Sequence, residues 1–327
     1  MPSAKDALLR YEAGQTAVAF SAMTDTGNQI TFSGSVSPWS RRSGYAPVIR
    51  PNGLLTGGVV TPAASGLDDA VDVSAGTCYI GGALISFSAE TDLVCDRAVT
   101  TDTHIISSIV VSDAGVVSEI AGVDSTAFSE TRAANGGPPL IPVASVELAQ
   151  VRFPSLTSAD VEAAEIFSVV GVHTERSDYP VWDVDYYNGT VTFVDDLPEI
   201  HTGAVPKGVY ASYASPLFAD VSIASDFVAP EDSYSVSSTQ VYGRTIGATS
   251  SSLGQGSFTA YLNDGVNDSL VSLAGENLWF KFYPNRYQSP YIMCQGILGV
   301  VRAFPAGDNI TASCSINSES AAVNVPG

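Results

Sequence analysis

The stretch Gly256-Ser257-Phe258-Thr259-Ala260-Tyr261-Leu262 begins the part of the chain that decides the predicted fold. Its apolar residues occupy alternate positions, the period-two pattern of a half-buried strand. The turn signal Asn263-Asp264-Gly265 follows it. A short helix is predicted next, at 267–274, with Leu270 and Leu273 on one apolar face.

Three more strands are predicted after this helix. Two are runs of aromatic and aliphatic residues, at 278–283, which contains Phe280, and at 291–303. After a turn at 305–309, apolar and polar residues alternate again at 310–316. The order is strand, helix, strand, strand, strand, so a helix with one apolar face interrupts a β meander.

This order resembles the tail-tube (major tail) proteins of long-tailed bacterial viruses. The likeness rests on 256–316 and extends more loosely to Tyr179–Ala219. The residues that carry it are the start Gly256-Ser257-Phe258, the helix at 267–274, the strand Trp279–Tyr283, Gly296 and Gly299 in the next strand, and Phe304–Asp308 before the last one. The resemblance implies a β-sandwich or β-barrel fold with one packed helix. It also implies that subunits continue their sheets into rings, expected to be hexameric, and that the rings stack into a tube.

The charge of the chain is strongly acidic. Of its 327 residues, 14 are Lys or Arg and 34 are Asp or Glu, which gives a net charge of −20. A surface that binds nucleic acid needs clustered Lys or Arg, and the densest cluster, Arg41-Arg42 followed by Arg50, is too small for that. The acidity indicates either solubility alone or a surface that DNA passes without binding.

The composition changes between residues 52 and 152. This segment is rich in Ala, Val, Ser and Thr, has almost no Trp or Tyr, and its short predicted strands are separated by glycines. It is therefore predicted to be a small β domain inserted into a tail-tube β domain formed by residues 1–51 and 153–327. Insertions survive at exposed loop tips, so the inserted domain is expected to face outward.

Other segments complete an all-β prediction with one or two short helices. Ser3–Ala13 is either a short helix or an arm that orders only against a neighbour, and Thr157–Phe167 is expected to form one or two helical turns. Ala229–Gly256 is polar and rich in Ser, which predicts a long loop or a hairpin that reaches a neighbouring subunit.

The clearest predicted hairpin is Tyr179–Asp195, with Asn188-Gly189 as a two-residue type I′ turn. This turn places Val184 opposite Phe193. An apolar face and a polar face follow from the alternation, the first with Trp182, Val184, Tyr186, Val191 and Phe193, the second with Asp183, Asp185, Thr190 and Thr192. The predicted core of the tube domain consists of Trp182, Val184, Tyr186, Phe193, Leu270, Leu273 and Phe280.

The polar hairpin face supplies the candidate channel lining. If the resemblance holds, a negative lumen repels phosphates and gives DNA no stationary binding site. The predicted lumen residues are Asp183 and Asp185, with Asp195, Asp196 and Glu199 nearby. These carboxylates can also be explained as a face turned towards outside water.

No catalytic, metal or cofactor site is predicted. His104, His173 and His201 are far apart and lack the spacing of a zinc-binding helix. The polar cluster 173–178 lacks a nucleophile elbow and an oxyanion hole, so it is interpreted as a loop with local hydrogen bonds. The acidic hairpin face has the carboxylate spacing of a glycosidase but no aromatic side chains for stacking. Asp264–Asp268 lacks the remaining ligands of a calcium loop.

The cysteines and the hydropathy pattern bound the compartment. The cysteines have no metal-ligand spacing and sit in or beside apolar runs, so they are predicted to be buried free thiols: Cys78, Cys95, Cys294 and Cys314. Met1–Thr16 has no apolar signal-peptide core, and no run approaches the roughly 20 apolar residues of a membrane span. Synthesis in the host cytoplasm without membrane insertion is expected.

The sequence therefore predicts a virion structural protein and not an enzyme: the tail-tube subunit of a long-tailed virus, expected to be the non-contractile type. Its partners would be copies of itself, other tail proteins and DNA that passes through without specific binding. The alternative is a receptor- or carbohydrate-binding fibre or adhesin. Such a protein needs exposed aromatic residues in loops, for which the candidates are Trp39, Tyr45 and Tyr287.

Overall fold

The computed structural model describes residues 6–97, 103–242 and 244–327. Regular structure in these residues is almost entirely β-strand, which confirms the predicted all-β class. None of the sheets formed by the described residues closes into a barrel.

The strands are numbered in chain order. They are β1 (Leu8–Ala22), β2 (Thr24–Asp25), β3 (Thr31–Ser33), β4 (Val48–Pro51), β5 (Gly53–Gly57), β6 (Val60–Pro62), β7 (Ala70–Val73), β8 (Gly76–Ile80), β9 (Ala83–Phe87), β10 (Glu90–Val94), β11 (Ile105–Ser112), β12 (Val117–Ala121), β13 (Ser145–Phe153), β14 (Ile166–Phe167), β15 (Trp182–Asp185), β16 (Thr190–Phe193), β17 (Val209–Asp220), β18 (Ala224–Val228), β19 (Asp232–Val241), β20 (Arg244–Leu253), β21 (Gly256–Tyr261), β22 (Asn277–Tyr283), β23 (Tyr291–Ala303), β24 (Thr311–Asn317) and β25 (Val323–Val325). The helices are a 3-10 turn at Ala163–Glu165 and α1 (Ser269–Ser272).

The chain divides into two compact units. Unit 1 contains the described residues up to Ala17, Pro38–Ala46 and Tyr213–Gly327, and unit 2 contains those of Val18–Ser37 and Pro47–Ser212. The predicted boundaries at 51/52 and 152/153 do not coincide with this division.

The reason is visible in the core of unit 2. Phe153 and Val161, on one side of the predicted boundary, pack in the same cluster as Leu54, Val111 and Val151 on the other. Residues on both sides of the predicted boundary at 152/153 therefore share one apolar core in unit 2.

Unit 1 is built on one antiparallel sheet. Its strands follow the order β18-β21-β24-β23-β22-β1-β17, with β25 also paired to β23. Leu270 of α1 and Leu273, which directly follows the helix, are buried in the core of this unit together with Phe258, Phe280 and further apolar residues of the sheet. The predicted order of strand, short helix and three strands over 256–316 is confirmed.

The N-terminal prediction was wrong. Residues 3–5 lie outside the described part of the chain, but Leu8–Ala22 forms a strand rather than a helix or a free arm. Leu9 pairs with Phe282 and Tyr11 with Phe280, so alternate side chains are buried against β22. Helix propensity is a weak preference that such tertiary pairing overrides.

A buried carboxylate joins three segments of unit 1. Glu12 of β1 is fully buried; its Oε2 accepts a hydrogen bond from the Trp279 backbone N at 3.1 Å, and its Oε1 accepts from Gln15 Nε2 at 2.8 Å and from Ser40 Oγ. A buried carboxylate is tolerated when donors satisfy it in this way. Glu12 thereby holds the segment around Ser40 to β1 and β22.

Unit 2 consists of several small antiparallel sheets. They are β12-β11-β13-β14, β10-β7-β6, β5-β8-β9 and β15-β16-β3-β2, and the first four residues of β17 pair with β4. Every residue of β13 is buried, which makes β13 the central strand of this unit. The predicted helical turn within Thr157–Phe167 is present as the 3-10 turn.

The cysteines are as predicted. All four lie in the described residues and are buried free thiols. Burial raises the pKa of each, to about 12 for Cys294 and about 11 for Cys314. Cys294 faces Phe280 and Cys314 faces Val300, so these two thiols are not opposite each other.

Candidate functional site

The acidic hairpin of unit 2 is formed by β15 and β16, but its predicted register was wrong. Trp182 pairs with Phe193 and Val184 with Val191, whereas Val184 had been expected opposite Phe193. The connection is a four-residue loop at 186–189 rather than a two-residue turn.

Asp185 explains the different turn. Its Oδ1 accepts hydrogen bonds from the backbone N of Tyr187 at 2.9 Å and of Asn188 at 3.1 Å, and its Oδ2 accepts from Asn188 Nδ2 at 2.7 Å. Of Asn188 and Gly189, only Gly189 has a positive φ, 63°, whereas a type I′ turn needs both. A carboxylate that caps the loop thus outweighed the Asn-Gly signal.

The predicted faces survive this correction, because a shift of two residues leaves each side chain on its own face. Val191 and Phe193 are buried, and Phe193 contacts Phe32 with ring centroids 5.7 Å apart. Trp182, Val184 and Tyr186 are only half-buried, so their assignment to a core was too strong.

The predicted lumen carboxylates fall into two groups in unit 2. Asp183 and Asp185 lie exposed on the polar face of β15. Asp195, Asp196 and Glu199 are exposed in the segment after β16, where they line a pocket of about 660 Å³. Their orientation towards a channel stays a prediction.

The pocket also has a charged inner wall, which the sequence analysis missed. We call the following charged lining residues the inner wall of the pocket: Arg132, Glu147, Glu175, Arg176 and Lys207. Glu147, Glu175 and Lys207 are buried. Buried charges of this kind are rare unless they are paired.

Arg132 and Glu147 form the ion pair of this inner wall. Arg132 donates one hydrogen bond from Nη2 to Glu147 Oε2 and another from Nη1 to the Pro139 carbonyl at 2.8 Å. Ser108 Oγ donates to Glu147 Oε1 at 2.5 Å. Burial raises the pKa of the Glu147 carboxyl, and the Arg132 guanidinium and the Ser108 hydroxyl oppose that rise.

Lys207 is another cation of the inner wall, and it is buried. Its Nζ donates to the carbonyls of Arg176 and Tyr179, both at 2.6 Å. Burial lowers the pKa of Lys207 to about 8, and the nearby Glu175 and Asp178 oppose this. Lys207 is therefore a structural cation that holds the backbone at 176–179.

The cluster at 173–178 is only in part the local loop that was predicted. Arg176 and Asp178 form a local bidentate pair at 2.8 and 2.9 Å. Thr174 Oγ1, however, donates to the Leu148 carbonyl, and Glu175 Oε2 accepts from the Glu147 N–H, so this segment is anchored on β13.

One signal in the sequence pointed to this site. Glu147 lies inside the apolar run Val146–Ala149, and a carboxylate in a buried strand needs a partner. The partners come from segments far along the chain, so the sequence alone did not identify them.

The residues described by the structure contain no group of three or more His, Cys, Asp or Glu side chains arranged to hold a metal ion. His104 bonds to its neighbour Thr103 at 2.8 Å, and the His173 ring lies 3.2 Å from Arg152 Nη2. Both rings therefore have structural contacts.

A second candidate site is the hairpin of β19 and β20 in unit 1. Its strands pair with each other over ten residues each and, among the residues that the structure describes, join no larger sheet. One face carries Tyr234 and Val236, exposed by 73% and 76%, and the other carries a ladder of serine hydroxyls that includes Ser235 and Ser250 at 2.7 Å. The predicted loop or hairpin at Ala229–Gly256 is therefore a hairpin with two exposed faces.

Comparison with known protein families and with curated proteins found no match. No helix among the described residues has the length and apolar character needed to cross a membrane.

Loss of the Arg132 guanidinium, which pairs with the buried Glu147, should destabilise unit 2. We expect Arg132→Met to lower the free energy of unfolding by about 3–5 kcal/mol, because Glu147 is left buried without its partner. Arg41→Met, which removes a surface ion pair with Glu319, should cost less than about 1 kcal/mol. Urea unfolding measures both losses, and adding Glu147→Met to Arg132→Met should recover part of the larger one. Equal losses for the two arginines would contradict the assignment.

Proposed function

We propose that this protein is a structural subunit that assembles with copies of itself into the tail tube of a long-tailed bacterial virus. The observation that carries the proposal is the β19–β20 hairpin, which has no partner sheet among the described residues. It is joined to an all-β unit whose order of elements resembles tail-tube proteins.

The hairpin is suited to contact another copy of the chain. An isolated two-stranded hairpin is marginally stable in water, so one that exposes Tyr234 and Val236 gains stability when a partner covers it. A chain with a net charge of −20 repels its own copies. The hairpin strands contain only Asp232 and Arg244 as charged residues, so this surface approaches a second copy without net repulsion.

The charge of the chain suits a tube that DNA passes. Stable DNA binding requires several Lys or Arg at one site, and in the pocket of unit 2 the cations Arg132, Arg176 and Lys207 are already bonded within the protein. We assign the lumen to the exposed carboxylates Asp183, Asp185, Asp195, Asp196 and Glu199.

The segment 52–152 is proposed to face outward, where it would occupy the surface that a contractile sheath needs. Because this segment and the acidic hairpin belong to the same unit, both assignments can hold only on different sides of unit 2. The subunit has no catalytic role in this proposal.

The alternative of a carbohydrate-binding fibre loses one of its candidate residues. Trp39 is not exposed: it is fully buried in unit 1 and stacks on Tyr213 with ring centroids 4.4 Å apart. Tyr287 remains exposed by 81% and Tyr45 by 39%, which is a sparse platform for a sugar.

The hairpin predicts which face drives assembly. The double substitution Tyr234→Asp and Val236→Asp should abolish or strongly weaken self-association, since it places charges on the apolar face. Ser235→Asp and Ser237→Asp add the same charge to the serine face and form the matched control. Sedimentation velocity of all three proteins measures assembly. Equal assembly by the apolar-face variant and the wild type would refute the contact.

The lumen assignment predicts an effect on DNA exit. Asp183→Lys should leave folding intact, because Asp183 is exposed, and should slow DNA release from purified virions by giving phosphates a binding site. The slowing should be larger at low salt. The Debye screening length falls to about 10 Å at 0.1 M salt, so added salt weakens the attraction between the lysine and the phosphates.

Asp308→Lys, in an exposed turn of unit 1, is the control for the added charge. Asp185 is unsuitable for this test because it caps the hairpin loop. Unchanged release rates for Asp183→Lys at both salts, with intact tails, would show that Asp183 does not line the channel.

A further inference from the structure

The tautomer of a buried histidine in unit 2 is fixed by one contact. The ring of His201 is fully buried, and its Nδ1 lies 3.1 Å from the Pro142 carbonyl oxygen. A carbonyl oxygen only accepts hydrogen bonds, so Nδ1 carries the proton. In the neutral ring Nε2 is then a bare acceptor.

A second bare acceptor faces this nitrogen. Glu175 is 6% exposed, and its Oε2 accepts from the Glu147 N–H at 2.9 Å. Its Oε1 has no hydrogen-bond partner and lies 3.7 Å from His201 Nε2, which also has none. Two unsatisfied lone pairs buried face to face are unfavourable, because neither can be solvated.

One proton resolves this conflict. The separation of 3.7 Å is longer than a hydrogen bond. We propose that Glu175 is protonated in the folded protein, that the two side chains move closer so that it donates this proton to His201 Nε2, and that the shared proton is a pH-sensitive latch in unit 2. The bond joins the segment at 173–177, which pairs with β13 and β5, to the segment at 200–202, which is bonded to Ile141.

The charged groups around the pair are compatible with this state. Burial raises the pKa of Glu175 to about 7, although Lys207, the Glu147 N–H and Arg132 act to lower it. Burial lowers the pKa of His201, against the Pro142 carbonyl and Glu147, which raise it. The Cys78 thiol interacts electrostatically with Glu175, but it stays uncharged because burial raises its pKa to about 11. A neutral acid beside a neutral imidazole is thus the form that burial favours.

The direction of the pH effect follows from linkage. The carboxyl of Glu175 has an ordinary pKa of 4.5 when the chain is unfolded and about 7 when it is folded. The contribution of the Glu175 proton to stability is therefore complete below pH 4.5, falls as the pH rises, and is lost above about pH 7. The lowered pKa of His201 acts in the opposite direction below pH 6.5, and this effect is common to the wild type and to variants of Glu175.

The substitution Glu175→Gln tests the latch. A glutamine amide can accept from the Glu147 N–H and donate to His201 Nε2, as the protonated acid does, but it does not titrate. Between about pH 5 and pH 7 the unfolding constant of the wild type should rise by up to tenfold per pH unit from this group alone. Relative to wild type, Glu175→Gln should lack this slope and should be the more stable protein at about pH 8.

Glu199→Gln removes an exposed carboxylate from the same pocket and should keep the wild-type slope. Urea unfolding across this pH range measures all three proteins. A Glu175→Gln variant with the wild-type slope would overturn the proposal.

Spectroscopy of the wild-type protein gives a second test that does not depend on a variant folding. Nitrogen NMR of His201 should show a protonated Nδ1 and a hydrogen-bonded, unprotonated Nε2 at about pH 5. Infrared difference spectra should show a protonated carboxyl group that ionises near neutral pH. A doubly protonated His201 ring, or a Glu175 carboxylate ionised at about pH 5, would show that no such latch exists.

Discussion

Backbone hydrogen bonding is the constraint on which this structure depends. With almost no helix, the chain must satisfy its buried N–H and C=O groups between strands, and a strand at the edge of a sheet leaves one row of them open. In unit 1, β1 pairs with β22 on one side and with β17 on the other. Glu12 of β1 accepts a hydrogen bond from Ser40 and so holds the Ser40 segment to this strand. The β19–β20 hairpin has the longest open edges in the described chain, ten residues on each strand. Self-assembly is the simplest way to cover that surface, which is why we connect the fold to a tube.

Unit 2 contains buried charged side chains, and each of them needs compensation. Glu147 and Glu175 sit on or beside the central strand β13, where each carboxyl would be costly if ionised alone. The Arg132 guanidinium compensates Glu147, whereas the proposed shared proton neutralises Glu175. The two arrangements differ in what supplies the compensation, since an arginine keeps its charge throughout the range whereas a carboxyl proton is lost as the pH rises. The exposed carboxylates of the same pocket, Asp195, Asp196 and Glu199, are separate from these compensated buried charges.

Local patterns in the sequence predicted local structure well. The alternation and turn residues of 256–316 determine their strands and helix because each signal acts within a few residues. The hairpin faces were predicted for the same reason, but its register depended on the side chain of Asp185, which competes with Asn-Gly for the turn. The strand at Leu8–Ala22 depends on pairing with β22, a partner far along the chain. Local helix propensity therefore gave the wrong prediction for this segment. The inner wall of the pocket was not predictable either, because Glu147, Glu175 and Lys207 meet only in the folded unit.

The central claim is that the chain forms a tube with copies of itself, and imaging of the purified protein by electron microscopy over a range of concentrations tests it most directly. The account predicts rings that stack into tubes, with the β19–β20 hairpin covered by a neighbouring subunit and Asp183 facing the channel. Isolated subunits at every concentration, or elongated trimers with an exposed hairpin, would contradict it.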